Sequence, residues 1–196
     1  PALDQAAAPQ SERLFWLRGR LIAENLRSCG IDSNCAPLGD IAQAGTHAVL
    51  KNRCYGSALS AVVTHARALH QGLRHGGVSG VLKHIPGHGR ATLDSHLDLP
   101  RVLVKRGSLA RHDFQAFRQL NTIEMGMTGH LVFEDIDPNQ PATQSAAMID
   151  IIRNHIGFDG LLMTDDISME ALSGPLDLRA QRALSAGCDI ILYCNG

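Results

Sequence analysis

Residues 76–89 read GGVSGVLKHIPGHG: a double glycine, an apolar run from Val78 to Ile85, and a proline- and glycine-rich loop holding a second histidine. Gly76 and Gly77 stop whatever precedes them, and the run that follows has the length and composition of a buried strand. Lys83 and His84 fall at the end of that strand, where the chain leaves the sheet. Immediately upstream, Ser57 to His75 has helical periodicity, so the unit is a helix feeding a strand whose last residues are polar.

The same unit recurs along the chain. Leu14, Leu17, Leu21, Ile22 and Leu26 repeat at helical spacing between Ser11 and Cys29, which predicts a helix capped by Ser11 and stopped by Gly30. Ile31 to Leu38 follows as a strand, with an irregular stretch from there to Gly56. Downstream, helices are expected over Ser108–Leu120, Ser145–His155 and Asp177–Ala186, and strands over Ile123–Thr128, Gly160–Thr164 and Ile190–Tyr193. Five strands separated by helices imply parallel βαβ units, because a parallel return needs a crossover.

Two architectures satisfy that rhythm. A doubly wound sheet gathers its chemistry at one switch point, usually on a glycine-rich phosphate turn, whereas a (β/α) barrel sets working residues after many strands. Asp40, His84, His130, Asp165 and Asn195 each follow a different strand, and no GxGxxG follows the first. The barrel is favoured. A complete (β/α)8 TIM-type barrel takes about 250 residues, so 196 residues with five βα units are expected to form one partial barrel domain, 1–196.

Composition limits the partners. Eighteen Lys and Arg against nineteen Asp and Glu leave no basic footprint for nucleic acid or an anionic membrane. No apolar run reaches the roughly 18 residues of a membrane helix, and PALDQAAAPQ lacks the basic start and apolar centre of a signal peptide. Five scattered cysteines without CxxC spacing suggest neither a disulfide framework nor a structural metal site, and fit a reducing compartment, the cytoplasm. An uncharged small ligand is the expected partner, with no cofactor.

Three clusters carry possible chemistry. In Lys83–Gly89 and Asp94-Ser95-His96, the carboxylate two residues from the imidazole is placed to orient and charge it once the loop turns, although a glycine-rich loop with histidines also reads as a solvated turn. Thr164-Asp165-Asp166 ends an apolar strand in two carboxylates, one of which could simply cap a helix around Met169 to Leu172. His130, in Met127-Thr128-Gly129-His130, reads first as a hydrogen-bonded structural group.

KHIPGHG (83–89), DSH (94–96), MTGH (127–130), GFDGLLMTDDISMEAL (157–172) and AGCDIILYCNG (186–196) occur in the order and spacing of the family 3 glycoside hydrolases. The chain resembles in particular that family's bacterial β-N-acetylglucosaminidases of cell-wall recycling. The resemblance implies a (β/α)8 barrel and cleavage, with retention, of terminal N-acetylglucosamine from β-N-acetylglucosaminyl anhydro-muropeptides. It assigns Asp165 as nucleophile, Asp94 and His96 as the acid/base pair, and Lys83, His84 and Arg53 as sugar-binding residues. The family's DQEGGR-type segment has no counterpart here, so a partial barrel with open, association-prone edges is expected. A metal-dependent hydrolase using His84, His88, His96, His130 and Asp165 and an inactive sugar-binding remnant are the alternatives.

Overall fold

A computed structural model describes residues 8–92 and 99–195; Asp94 and His96 lie outside the described residues. Its centre is a five-stranded parallel sheet in the order β1-β2-β4-β6-β7, formed by β1 (Ser33–Asn34), β2 (Ser79–Ile85), β4 (Met125–Thr128), β6 (Leu161–Asp166) and β7 (Ile190–Leu192). The pairs β1·β2, β2·β4, β4·β6 and β6·β7 are all parallel. Chain order and spatial order coincide, which is the winding of a (β/α) barrel and not of a doubly wound sheet, where the order reverses. The sheet therefore forms half of a TIM-type barrel.

The remaining elements are α1 (Ala8–Ser28), α2 (Ala48–Lys51), α3 (Leu59–His75), β3 (Arg101–Val102), α4 (Arg106–Arg111), α5 (Asp113–Gln119), β5 (Val132–Phe133), α6 (Ala146–Asp150) and α7 (Leu176–Ala186). β3 and β5 pair in a small parallel sheet that the sequence did not suggest. Leu69, Leu73, Leu82, Ile85, Phe117, Phe158 and Leu162 are among the fully buried side chains of the core between sheet and helices. Each contributes about 1.5–3 kcal/mol by leaving water.

Several expectations need correction. The helix at Ser11–Cys29 forms, but Leu14, Leu17 and Leu21 are 44%, 39% and 62% exposed, while Phe15 and Ala23 are buried. Two glycines set the face that meets α3. A Cβ on Gly19 would meet the Leu69 carbonyl oxygen at 2.3 Å, and one on Gly72 would meet the Trp16 carbonyl oxygen at 2.2 Å. The α1 and α3 backbones thus touch through their smallest residues, a contact that hydrophobic periodicity does not register. Ser11 lies within α1 instead of capping it, and its hydroxyl meets His65 Nε2 at 3.1 Å.

The strand at Ile31–Leu38 shrinks to Ser33–Asn34 with an isolated bridge from Leu38 to Lys83. The helix at Ser108–Leu120 is two helices broken at His112. Asp113 opens the second, and both its oxygens accept from Arg90 Nε, at 3.0 and 2.9 Å. The helix expected from Ser145 begins as anticipated, since the Ser145 hydroxyl accepts from the Met148 amide at 3.2 Å, but widens into a π-type turn over Ile151–Ile156.

Candidate active site

Parallel strands present all their C-terminal ends on one side of a sheet, so residues far apart in sequence arrive together there. β2 delivers Lys83 and His84, β4 delivers Thr128 and leads into Gly129 and His130, and β6 delivers Asp165 and Asp166. Asp40 comes from the segment after β1, tied to β2 by the Gly39 amide donating to the Lys83 carbonyl at 2.7 Å.

Asp40 is fully buried and organises the site. It accepts from His84 Nδ1 at 2.7 Å, from the His84 backbone amide at 3.2 and 3.3 Å, and from the His88 backbone amide at 2.7 Å. Burial opposes its charge, but the attraction of His84, the hydrogen bond from that ring and the His88 contacts outweigh burial and hold the carboxyl below its usual range. An ionised carboxylate only accepts, so His84 Nδ1 carries a proton. The opposite nitrogen, Nε2, then faces Asp165 Oδ2 at 3.8 Å. One imidazole thus stands between a buried carboxylate and a second, 19% exposed one that opens to the mouth.

The two aspartates of Thr164-Asp165-Asp166 have different surroundings. Asp165 Oδ1 accepts from the Asp166 amide at 2.9 Å. Burial works against its ionisation, yet His84, His130, that amide and Lys83 prevail and keep it below the ordinary carboxylate range. Asp166 turns away to join the ends of β6 and β7. It accepts from the Ser168 amide at 3.0 Å, the Ser168 hydroxyl at 2.6 Å and the Cys194 amide at 3.2 Å. Asn195, polar at its strand end, donates to that same Ser168 hydroxyl at 2.6 Å. The helix around Met169 to Leu172 that either aspartate could have capped does not form, since the chain turns from Ile167 until α7 begins at Leu176; Asp166 instead holds that turn, and Asp165 is the charged group at the mouth.

Lys83 and Arg53 line a cavity of about 330 Å³ with Cys35, Asn52, Cys54 and Tyr55. Burial first, then the neighbouring Arg53, draws the Lys83 ammonium below its ordinary value, against Cys35, Asp165 and Asp40. With Arg18, three cations beside one cavity give charged donors for hydroxyl or carbonyl oxygens, and such bonds contribute roughly 1.5–3 kcal/mol each.

Among the anticipated residues the structure therefore sets Asp165 against His84, and Lys83 beside Arg53 at one cavity. It adds three that the glycosidase reading had left without a role. Asp40 was noted only as a strand-end residue, and its partner lies 44 positions away. His88 packs its ring 5.3 Å from that of His84, and burial, followed by His84, lowers its imidazole to about 4. His130 is wholly buried between β4 and β6. Among the described residues no group of three or more His, Cys, Asp or Glu is disposed to hold a metal ion.

The family model described as "Glycosyl hydrolase family 3 N terminal domain" matches residues 2–196. The "Beta-hexosaminidase" of Alkalilimnicola ehrlichii is 40% identical over 191 residues, which are 95% of this chain and 54% of that protein. Among solved structures, NagZ from Neisseria gonorrhoeae in complex with N-trifluoroacetyl-D-glucosamine aligns with a TM-score of 0.88 at 36% identity, covering 98% of this chain and 56% of that one. A family 3 β-N-acetylglucosaminidase from Paenibacillus gives a TM-score of 0.87 at 32% identity, covering 93% and 36%. The chain spans about half the length of the curated relatives it matches.

Proposed function

This chain belongs to glycoside hydrolase family 3, matching its N-terminal domain, and from that premise we propose that it carries the nucleophile and sugar-binding groups of a retaining exo-β-N-acetylglucosaminidase. Support for the sugar comes from the N-trifluoroacetyl-D-glucosamine bound to the similar NagZ. The substrates proposed are β-N-acetylglucosaminyl anhydro-muropeptides. The proposed compartment is the cytoplasm, in keeping with five cysteines that are all free thiols.

In the first step an ionised Asp165 oxygen attacks the anomeric carbon, and the glycosidic C–O bond breaks as His96 gives its proton to the departing oxygen. In the second, His96 takes a proton from water, the water oxygen attacks the same carbon, and Asp165 leaves as carboxylate. Two inversions give net retention. A histidine suits the proton-transfer role because imidazole titrates near neutrality, and Asp94 would stabilise its charged form. Lys83, His84 and Arg53 direct donors at the sugar's oxygens, and Asp40 keeps the His84 ring in its orientation.

The observation that carries this reading is the facing of His84 and Asp165 at 3.8 Å at the strand ends, backed by buried Asp40. The test is hydrolysis of aryl β-N-acetylglucosaminides in chelator, by this chain and by this chain joined to the remaining segments of a relative's barrel. Activity lost on Asp165→Ala, and lost on His96→Ala chiefly for poor leaving groups, is expected. Equal loss for good and poor leaving groups would remove His96 as the acid. Activity that vanishes in chelator and returns with zinc would replace the proposal by a metal-dependent one.

A further inference from the structure

The end of β6 carries a second hydrogen-bonded assembly that the chemistry above leaves unused. His130 is 0% exposed, with Nε2 3.0 Å from the Asp166 carbonyl oxygen and Nδ1 2.8 Å from Thr143 Oγ1. A carbonyl oxygen only accepts, so Nε2 carries the proton. Burial, ahead of every other influence, lowers the imidazole's proton affinity and so favours the Nε2–H tautomer over the doubly protonated ring. Its Nδ1 therefore accepts the Thr143 hydroxyl hydrogen, for which the Gly129 carbonyl at 3.2 Å is the longer alternative. Thr143 Oγ1 in turn lies 2.8 Å from the Thr128 hydroxyl on β4. The chain of donors runs from Thr128 through Thr143 and His130 to the Asp166 carbonyl.

That carbonyl belongs to a peptide held at both ends, because the Ile167 amide on its other side donates to the Leu192 carbonyl of β7 at 3.0 Å. On the opposite side of the same Cα, the Asp166 amide donates to Asp165 Oδ1 at 2.9 Å. With residue 166 pinned, Asp165 Oδ1 is engaged and Oδ2 is the oxygen facing His84.

We propose that His130 is a positioning residue for the nucleophile: its Nε2–H holds the Asp166 carbonyl, fixes residue 166, and so aims the Asp166 amide at Asp165 Oδ1. The role rests on Asp165 being the nucleophile. A glycosidase gains from such a brace because the attacking oxygen must stay within a few tenths of an ångström of its productive place.

The experiment is a carbon-detected NMR titration of the Asp165 carboxyl in this chain, assigned with Asp165→Asn, in wild type, His130→Asn and His130→Gln. The Gln amide nitrogen reaches the place of Nε2, and the Asn amide stops short of it. His130→Asn is expected to raise the Asp165 midpoint by about one pH unit through loss of the ordered amide donor, and His130→Gln to restore it. An Asp165 midpoint unchanged across the three chains, with or without a lower melting temperature, overturns the proposal and leaves His130 a structural residue. Nitrogen spectra of wild-type His130 test it without any variant: an Nε2–H tautomer is expected, and an Nδ1–H tautomer overturns it. Failure of the nucleophile reading has a different signature, the absence of a covalent glycosyl adduct on Asp165 from an activated aryl glycoside while these NMR results stand.

Discussion

His84 Nδ1 lies 2.7 Å from Asp40 Oδ2, and this pair holds the ring whose other nitrogen faces the second carboxylate of the site, Asp165. Asp40 also takes two backbone amides, from His84 and His88, so a single buried side chain ties the end of β2 to the glycine-rich loop after it.

Asp40→Ala removes one partner of a buried pair and strands three donors. It is expected to cost about 3–5 kcal/mol, read as a lower urea midpoint, and to weaken sugar binding through the freed His84 ring. A variant as stable as wild type would show that Asp40 is not the organising group.

Asp165→Ala and Asp166→Ala should separate chemistry from architecture. The first is expected to abolish turnover with only a modest fall in melting temperature, because the attractions that outweigh the burial of Asp165 are lost with its charge. The second loses the Ser168 and Cys194 bonds across β6 and β7 and should lower stability by about 1–3 kcal/mol. The reverse pattern would exchange their roles.

Stability should fall on acidification through a defined window. His88 titrates at about 4 in the folded chain against an ordinary 6.5, so between those values the unfolded chain binds a proton that the folded one refuses. Its contribution is present above about pH 6.5 and is lost as the pH drops toward 4. His70, also lowered to about 4, adds to the same slope. The depressed carboxyls of Asp40 and Asp165 extend the loss to lower pH, since stability from a lowered carboxyl is present above its unfolded value of about 3.9. Urea unfolding at pH about 7.5 and about 4.5 should show a smaller drop for His88→Gln than for wild type; equal drops would count against a neutral buried His88.

Gly89→Ala addresses the contact between the two loops at the mouth. A Cβ there would stand 2.0 Å from the Ile41 carbonyl oxygen and 2.8 Å from its carbon. Both are backbone atoms, so the loops must separate, and the Thr46 hydroxyl would lose its hold on the Gly89 carbonyl. A loss of about 1–3 kcal/mol is expected in thermal unfolding; a neutral substitution would mean that the loops part freely.

Much of the fold was legible in local patterns. Val78–Ile85 and Gly160–Thr164 are apolar runs bounded by glycine or by charge, and both are strands of the parallel sheet. The two-residue strands Arg101–Val102 and Val132–Phe133 are too short for periodicity to mark. The buried face of α1 was not legible, because a glycine contact, and not the leucine stripe, determines how closely α1 meets α3. At the site, the motifs containing Lys83, His84 and Asp165 stood out by composition. Asp40 was legible only as a strand-end residue and His130 only as a structural group, since their partners are 44 and 36 positions away.

The sequence by itself determined the alternation of helix and strand and the placing of polar residues just past the strands, because side-chain periodicity and glycine stops act over a few neighbouring residues. Only the tertiary structure decided which of two adjacent aspartates faces the mouth and which joins β6 to β7. Successive residues of a strand point to opposite faces, and their partners are chosen by the register of other strands, which no stretch of one strand contains.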